Sequence, residues 1–400
     1  MNKTIVNKRP AVNVSRRAFL KQGSAMIAAG VTAPIAINLA AISEASAATA
    51  TDYKALVCIF LYGGNDNYNT LVPYDNASYN TYKSLRPNLS YPRNDLTASA
   101  LTPRVVPLDR NGVPHQYALA PSMLPLKSVF DAGRLGITLN VGTLIQPTTK
   151  TQYNNRSVPL PPRLFSHNDQ QSIWQSLAPE GAPSGWGGRM GDLFESGNGR
   201  SIFTSINLSE NTVFSTGDLV TQYKVNPRAN EAPFYNLNYL YGSSDCAQAL
   251  EKLITQSRPN LLENQHKIVT QRAIEAGNKL FDEVSTKTFI TPYPTQNTLA
   301  DQLKMVAKIV ASSSELTAKR QVFFVSIGGF DNHDALLTNQ PVLLKRVADA
   351  MKAFYDTTLE LGVQNQVTAF TASDFGRTLV GNKDGSDHGW GSVNFTMGGA

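Results

Sequence analysis

The chain has 400 residues, 42% hydrophobic and 16% charged, with 28 glycines and 22 prolines; these proportions exclude disordered, collagen-like and coiled-coil chains. The formal charge of +6 resides in the N-terminus, where residues 1–47 hold six Lys/Arg and one acid, leaving 30 basic and 29 acidic residues beyond them. That balanced remainder has no charge excess to drive counterion release, so no nucleic-acid partner is expected.

The first element is an export signal. A polar basic stretch is followed by an uncharged Ala-rich run, Gln22 to Ser43, and by the small residues Ala45-Ser46-Ala47, which predicts cleavage after Ala47. Ser15-Arg16-Arg17-Ala18-Phe19-Leu20-Lys21 resembles the twin-arginine signal S-R-R-x-F-L-K at every specified position. The alternative is an uncleaved anchor, since the run is long enough to span a bilayer. Its Ala, Gly, Ser, Asn and Pro34 content makes it weakly hydrophobic, so no stable membrane anchor is expected. The expected address is the bacterial periplasm or the medium, with the twin-arginine (Tat) translocase as a transient partner. That route carries folded proteins and so favours one that takes up a metal before export. Only Cys58 and Cys246 are present, which rules out a Cys-rich zinc site or a disulfide scaffold.

From residue 48 onward, one domain is expected. Ala55 to Leu61 is a continuous apolar run bounded by Gly63-Gly64, the pattern of a parallel strand buried on both faces. Similar runs recur at Leu135–Val141, Ile202–Leu208, Val322–Ile327 and Val367–Thr371. Helical patterns lie between them at Met123–Ala132, Asn168–Leu177, Leu261–Val284, Leu299–Ser312 and Val342–Leu361. Alternating strands and helices predict a doubly wound α/β sheet. Residues 209–259, rich in Asn, Tyr and Ser, read as an insertion over one sheet edge. Val393–Met397 reads as a strand running into Gly398-Gly399-Ala400, a sign that the natural C-terminus lies further on.

No G-x-S-x-G elbow, P-loop, dinucleotide-binding glycine motif or H-E-x-x-H occurs, which disfavours the reactions those motifs serve. Instead, polar clusters follow predicted strands: Asp66 in Gly63-Gly64-Asn65-Asp66, then Asp331, His333 and Asp334 after Gly328-Gly329-Phe330, then Asp374 and Arg377 after Thr371. Two further clusters are Phe165-Ser166-His167-Asn168-Asp169 at a helix start and Ser386-Asp387-His388-Gly389 in a Gly-rich loop. Ligands bind outside the carboxyl ends of strands in open α/β sheets, so Asp66, Asp331 and Asp374 are expected at one edge. Carboxylates with imidazoles suit Zn, Mn or Fe, and two such groups can hold the two metals that clamp a displaced ester.

The export signal, L-Y-G-G-N-D-x-x-N-T-L-V-P-Y from Leu61, F-S-H-N-D-Q-Q-S-I-W from Phe165, G-G-F-D-N-H-D from Gly328, S-D-F-G-R-T from Ser373 and D-H-G-W-G from Asp387 occur in that order. The set resembles an uncharacterised family of exported bacterial proteins, the domain of unknown function 1501 family, from Tyr53 onward. That family is similar to a branch of the alkaline phosphatase and sulfatase superfamily. The resemblance implies an alkaline phosphatase-like three-layer α/β/α sandwich, a mostly parallel central sheet and a site for one or two divalent ions, zinc or manganese. It implies Asp66 as the first-strand metal aspartate, Asp331 and His333 as ligands, Asp374 as a ligand lacking its usual histidine neighbour, replaced by Phe375, and His388 as the last ligand histidine. Ser166 falls at the superfamily nucleophile position, where a helix N-terminus favours an anionic phosphoryl or sulfuryl group; His167 is an alternative ligand.

Plainer readings stand beside these. Ser166 also suits an ordinary N-cap, and Asp66 a turn former. Asp331, His333 and His388 also suit a hydrogen-bonded loop network, and Arg377 either grips a substrate oxyanion or pairs with Asp374. Asp169 and Asp387 read as capping or ligand-supporting groups, and His115 and His266 as surface residues. Two functions are carried forward: a metal-dependent hydrolase of phosphate or sulfate esters, acting on a small molecule or a polymer through Ser166 or a water, and a non-catalytic binding or assembly protein of the same fold.

Overall fold

The computed structural model describes residues 52–195, 197–199, 201–228 and 239–399. The export signal therefore lies outside the described residues, as does part of the expected insertion, residues 229–238.

The described residues form eleven strands: β1 (Lys54–Leu61), β2 (Leu71–Pro73), β3 (Tyr117–Leu119), β4 (Leu135–Val141), β5 (Ser205–Asn207), β6 (Tyr223–Lys224), β7 (Arg320–Ile327), β8 (Val367–Ser373), β9 (Gly376–Gly381), β10 (Ser386–Gly389) and β11 (Ser392–Gly398). Seven form the central sheet in the order β4-β11-β8-β1-β7-β5-β6. β1 pairs in parallel with β7 and β8, and β5 with β6 and β7. β11 is antiparallel to both of its neighbours. The chain is thus an α/β protein with a mostly parallel seven-stranded sheet.

The centre of the sheet, β1, β7 and β8, is buried on both faces, as the uninterrupted apolar runs require, whereas the edge strand β4 is largely exposed. Val57, Ile59 and Leu61 of β1 point to one side, into a core shared with the Thr298–Ala311 and Leu336–Glu360 helices. Cys58 and Phe60 point to the other side and pack with Phe214, Trp174 and Trp186. The period-2 alternation of a strand assigns these residues to opposite faces. Both cysteines are free, Cys58 buried and Cys246 exposed. Among the described residues, no helix is long and apolar enough to cross a membrane.

Several expected boundaries shift. The Met123–Ala132 helix is split into a 3-10 stretch, Pro121–Leu126, and a short α-helix, Lys127–Asp131; Pro125 inside the stretch has no N–H to donate. The helix expected from Val342 starts at Leu336 and carries Pro341 within it. Residues 386–389, read as a loop, form β10, paired antiparallel with β9 so that His388 faces Arg377. The Ile202–Leu208 run contributes only three strand residues, and β6, inside the expected insertion, forms the sheet edge.

The loop after β1 sets the position of everything above the sheet. Gly63 adopts φ +113° and passes so close to the loop after β7 that a Cβ would lie 2.5 Å from the Asp331 backbone nitrogen; at Gly64, φ +79°, a Cβ would meet the Phe375 ring at 2.4 Å. Only glycine tolerates both the backbone angle and the approach. Gly63→Ala is therefore expected to cost at least about 1–3 kcal/mol in strain and displaced backbone. Urea denaturation checks this; an unchanged midpoint would mean that the two loops are not pressed together.

Candidate metal centre

The His167–Ser176 helix begins at a residue run that bends the backbone sharply: Arg163 and Phe165 both have positive φ, 46° and 72°. The turn is held by the Phe165 N–H, which donates to Gln170 Oε1 at 2.5 Å. It presents His167 at the first helical position. One turn later on the same helix face lies Gln171, the i, i+4 partner. Both side chains reach Asp374, at the end of β8: His167 Nδ1 lies 2.7 Å and Gln171 Nε2 2.8 Å from Asp374 Oδ2, which also accepts the Gly63 N–H at 3.2 Å. Asp374 is fully buried, and its other oxygen, Oδ1, has no hydrogen-bond partner among the described residues.

His167 Nε2 faces the opposite way, 3.4 Å from Asp331 Oδ2. His388, on β10, approaches the same carboxylate from the hairpin, with Nε2 3.3 Å from Asp331 Oδ1. Its Nδ1 lies 2.9 Å from the Phe165 carbonyl oxygen. His333 joins from the loop after β7, with Nε2 3.1 Å from Asp331 Oδ1 and 3.0 Å from His388 Nε2, and Nδ1 3.5 Å from Asp387 Oδ1. All three imidazoles turn Nε2 to Asp331, and those of His167 and His388 also rest Nδ1 on an oxygen acceptor.

His167, Asp331 and His388 form a group whose ligand atoms all lie within 4.8 Å of one another, a spacing that can hold a metal ion. The donor set fits such an ion for a further reason. A carbonyl only accepts, so His388 must carry its proton on Nδ1, and the neutral ring then turns a lone pair from Nε2 toward a carboxylate oxygen. Two acceptors facing each other at 3.3 Å repel unless a cation lies between them, either a proton on Nε2 or a metal ion. Metal bonds of about 2.0–2.1 Å in tetrahedral geometry would place neighbouring ligand atoms about 3.3 Å apart, close to the two separations to Asp331.

The environments of the two rings drive them in opposite directions. The Asp374 hydrogen bond raises the His167 pKa above the ordinary imidazole value, against the effect of burial. Burial lowers that of His388, the Phe165 carbonyl opposing it and the Arg377 charge reinforcing it. Burial would raise Asp331, but the hydrogen bond and charge of Arg377 prevail and hold it below the usual carboxylate range. Phe375, where the resemblance led to a comparison with histidine, is buried and lies under two imidazoles, 4.8 Å from His167 and 4.3 Å from His388 between ring centroids.

The remaining sequence-derived candidates have other partners. Asp66 is not brought to the cluster: it is buried in an ion pair with Arg86, which donates through Nη1 at 2.9 Å and also through Nη2. The same carboxylate accepts the Tyr68 and Asn69 N–H groups and the Ser386 hydroxyl, so the ligand role expected of it gives way to a structural one. Asp374 sits behind His167 and is not among the converging ligand atoms. Arg377 does not pair with Asp374 and has no solvent-accessible side chain to grip an oxyanion; it donates to the carbonyls of Gly63, Gly64, Phe330 and Ser386 and to Asp331. The Ser166 hydroxyl does not cap the helix and instead donates to Asp169 Oδ2 at 2.9 Å. His115 bonds Asp75, and His266 lies on an exposed helix face.

Sequence reasoning missed Arg86, the Phe165 carbonyl, Gln170 and Gln171. The i, i+4 spacing of His167 and Gln171 was a usable signal, whereas nothing near Arg86 marks it as the partner of Asp66.

Fold and site together define an α/β protein with a mostly parallel sheet and a histidine–carboxylate centre beyond the carboxyl ends of its strands. Residues 53–400 match the family described as protein of unknown function (DUF1501), and the chain belongs to that family. No curated protein matches the chain.

The Asp66 reassignment is testable. Arg86→Met leaves a buried unpaired carboxylate and is expected to cost about 3–5 kcal/mol, while Asp66→Asn with Arg86→Met, which keeps an acceptor for the Tyr68 and Asn69 N–H groups, should recover most of that loss. Urea denaturation measures both, and the double variant should keep its metal content; loss of metal there would return Asp66 to the ligand set.

Proposed function

We propose that this chain is an exported metal-dependent hydrolase of phosphate or sulfate esters, built as a branch of the alkaline phosphatase-like fold and directed by its twin-arginine signal to the periplasm or the medium. The observation that carries the reading is the position of His388, with Nδ1 on the Phe165 carbonyl and Nε2 facing Asp331. His167, Asp331 and His388 would hold the ion, with His333 beside them. A divalent ion such as zinc or manganese would supply a Lewis acid for an ester oxygen and lower the pKa of water. The centre supports one ion more directly than two, because Asp66 is committed to Arg86 and Asp374 to His167.

The chain's own groups have separable tasks. Asp331 carries the negative charge of the centre and is fixed by Arg377. Phe165 holds the His388 Nδ1 proton. Ser166 sits next to His167 with its hydroxyl proton directed at Asp169, a carboxylate placed to accept it if Ser166 attacks. One observation favours the second reading, a binding or assembly protein: the inaccessible Arg377 leaves no substrate clamp at the position where one was expected.

Metal analysis of the exported protein is expected to find about one tightly held equivalent per chain. His388→Ala should lose it together with the stability that binding adds, about 2.7 kcal/mol at a metal concentration one hundred times Kd. Ester hydrolysis lost with the metal supports the enzyme. Bound metal without hydrolysis of any phosphate or sulfate ester supports the binding protein, and unchanged metal content and melting temperature in His388→Ala overturn the centre itself.

A further inference from the structure

We infer that Asp374 is a positioning residue: it keeps the His167 proton on Nδ1 so that Nε2 is delivered, unprotonated, to the metal. This rests on the metal-centre reading and adds to it an order of importance among the groups behind the three histidines. Three observations carry it. Asp374 Oδ2 collects three donors, the Gly63 N–H, His167 Nδ1 and Gln171 Nε2, so the ring meets a carboxylate already fixed in place. Asp374 is fully buried, and the 2.7 Å contact is charge-assisted and shielded from water. The helix supplies its own register, since His167 and Gln171 lie one turn apart and Gln170 Nε2 reaches the Asp374 carbonyl at 3.4 Å.

The other two histidines are held by weaker means. His388 donates to a neutral carbonyl, that of Phe165, at 2.9 Å. His333 faces Asp387 at 3.5 Å, a carboxylate whose side chain is 61% exposed. A buried charged acceptor orients a ring more strongly than an exposed one, and groups behind a metal ligand typically change affinity 10- to 100-fold when removed. Asp374 should therefore matter far more than Asp387, although both are aspartates facing Nδ1 of a histidine.

The unpartnered Oδ1 supplies the competing account, in which Asp374 itself ligates an ion. Two substitutions separate the accounts. Asp374→Asn keeps an acceptor for His167 Nδ1, whereas Asp374→Leu has nearly the same shape and no acceptor.

The test measures zinc affinity by chelator competition and the His167 tautomer by nitrogen-15 NMR of the zinc-free chain with labelled histidine, at alkaline pH where the ring is neutral. Expected are an Nδ1–H ring in the wild type, retained in Asp374→Asn and lost in Asp374→Leu. Zinc affinity should fall 10- to 100-fold in Asp374→Leu, less in Asp374→Asn, and under about threefold in Asp387→Ala. The inference is overturned if Asp374→Leu binds zinc as the wild type does, if Asp374→Asn loses zinc as completely as His167→Ala, or if the wild-type ring carries its proton on Nε2. Should Asp374→Leu fail to fold, Asp374→Asn and the wild-type tautomer decide. A wild type that binds no zinc yet shows the Nδ1–H ring defeats the metal reading and leaves the ring-orienting role standing.

Discussion

The buried guanidinium of Arg377 is the contact around which the upper face of this molecule is arranged. Its Nε and Nη groups reach four backbone carbonyls from three separate segments, the loop after β1, the loop after β7 and the start of β10, and neutralise Asp331 as well. Arginine suits this position because its planar fork offers five fixed donors and stays charged when buried. Truncation would leave those carbonyls unsatisfied at about 1–3 kcal/mol each. The residue that looked like a substrate clamp is thus the joint holding the loops in register, and the register places His388 opposite Asp331.

Around that joint, chemically similar groups are given different characters by their neighbours. His167 and His388 face the same carboxylate, yet one is pushed toward its charged form by a buried aspartate and the other toward its neutral form by burial. Phe375 contributes by being apolar: lying under both rings, it removes water from one side of each.

Much of the sheet was legible because burial on both faces writes an unbroken apolar run; β1, β7 and β8 lie where such runs occur. β5 was less so, since edge-ward strands are short and their flanking apolar residues pack without pairing. The clustering of Asp331, His333 and His388 was visible as a recurrence of polar residues after strands. What separated ligand from support was not visible, because it depends on which oxygen each Nδ1 meets. Asp66 and Asp374 have the same residue type and the same place after a strand. Arg86, 20 residues from Asp66, and His167, 207 residues from Asp374, give them different tasks. The β10 strand escaped notice because Ser-Asp-His-Gly carries no strand propensity and is held by pairing with β9.

The position of β1 at the centre of the sheet has a consequence for how the chain reaches this state. Lys54 pairs with Arg320 and Ala55 with Val367, so the central strand waits for partners made 266 and 312 residues later. Pairings this distant carry a large loop-closure cost and fold slowly, and an apolar strand with both edges open is a template for the wrong neighbour in the meantime. Synthesis must therefore pass residue 389 before the hairpin carrying His388 can meet Asp331. Assembly of the centre is in that sense a completion check: a chain interrupted anywhere before β10 cannot form it.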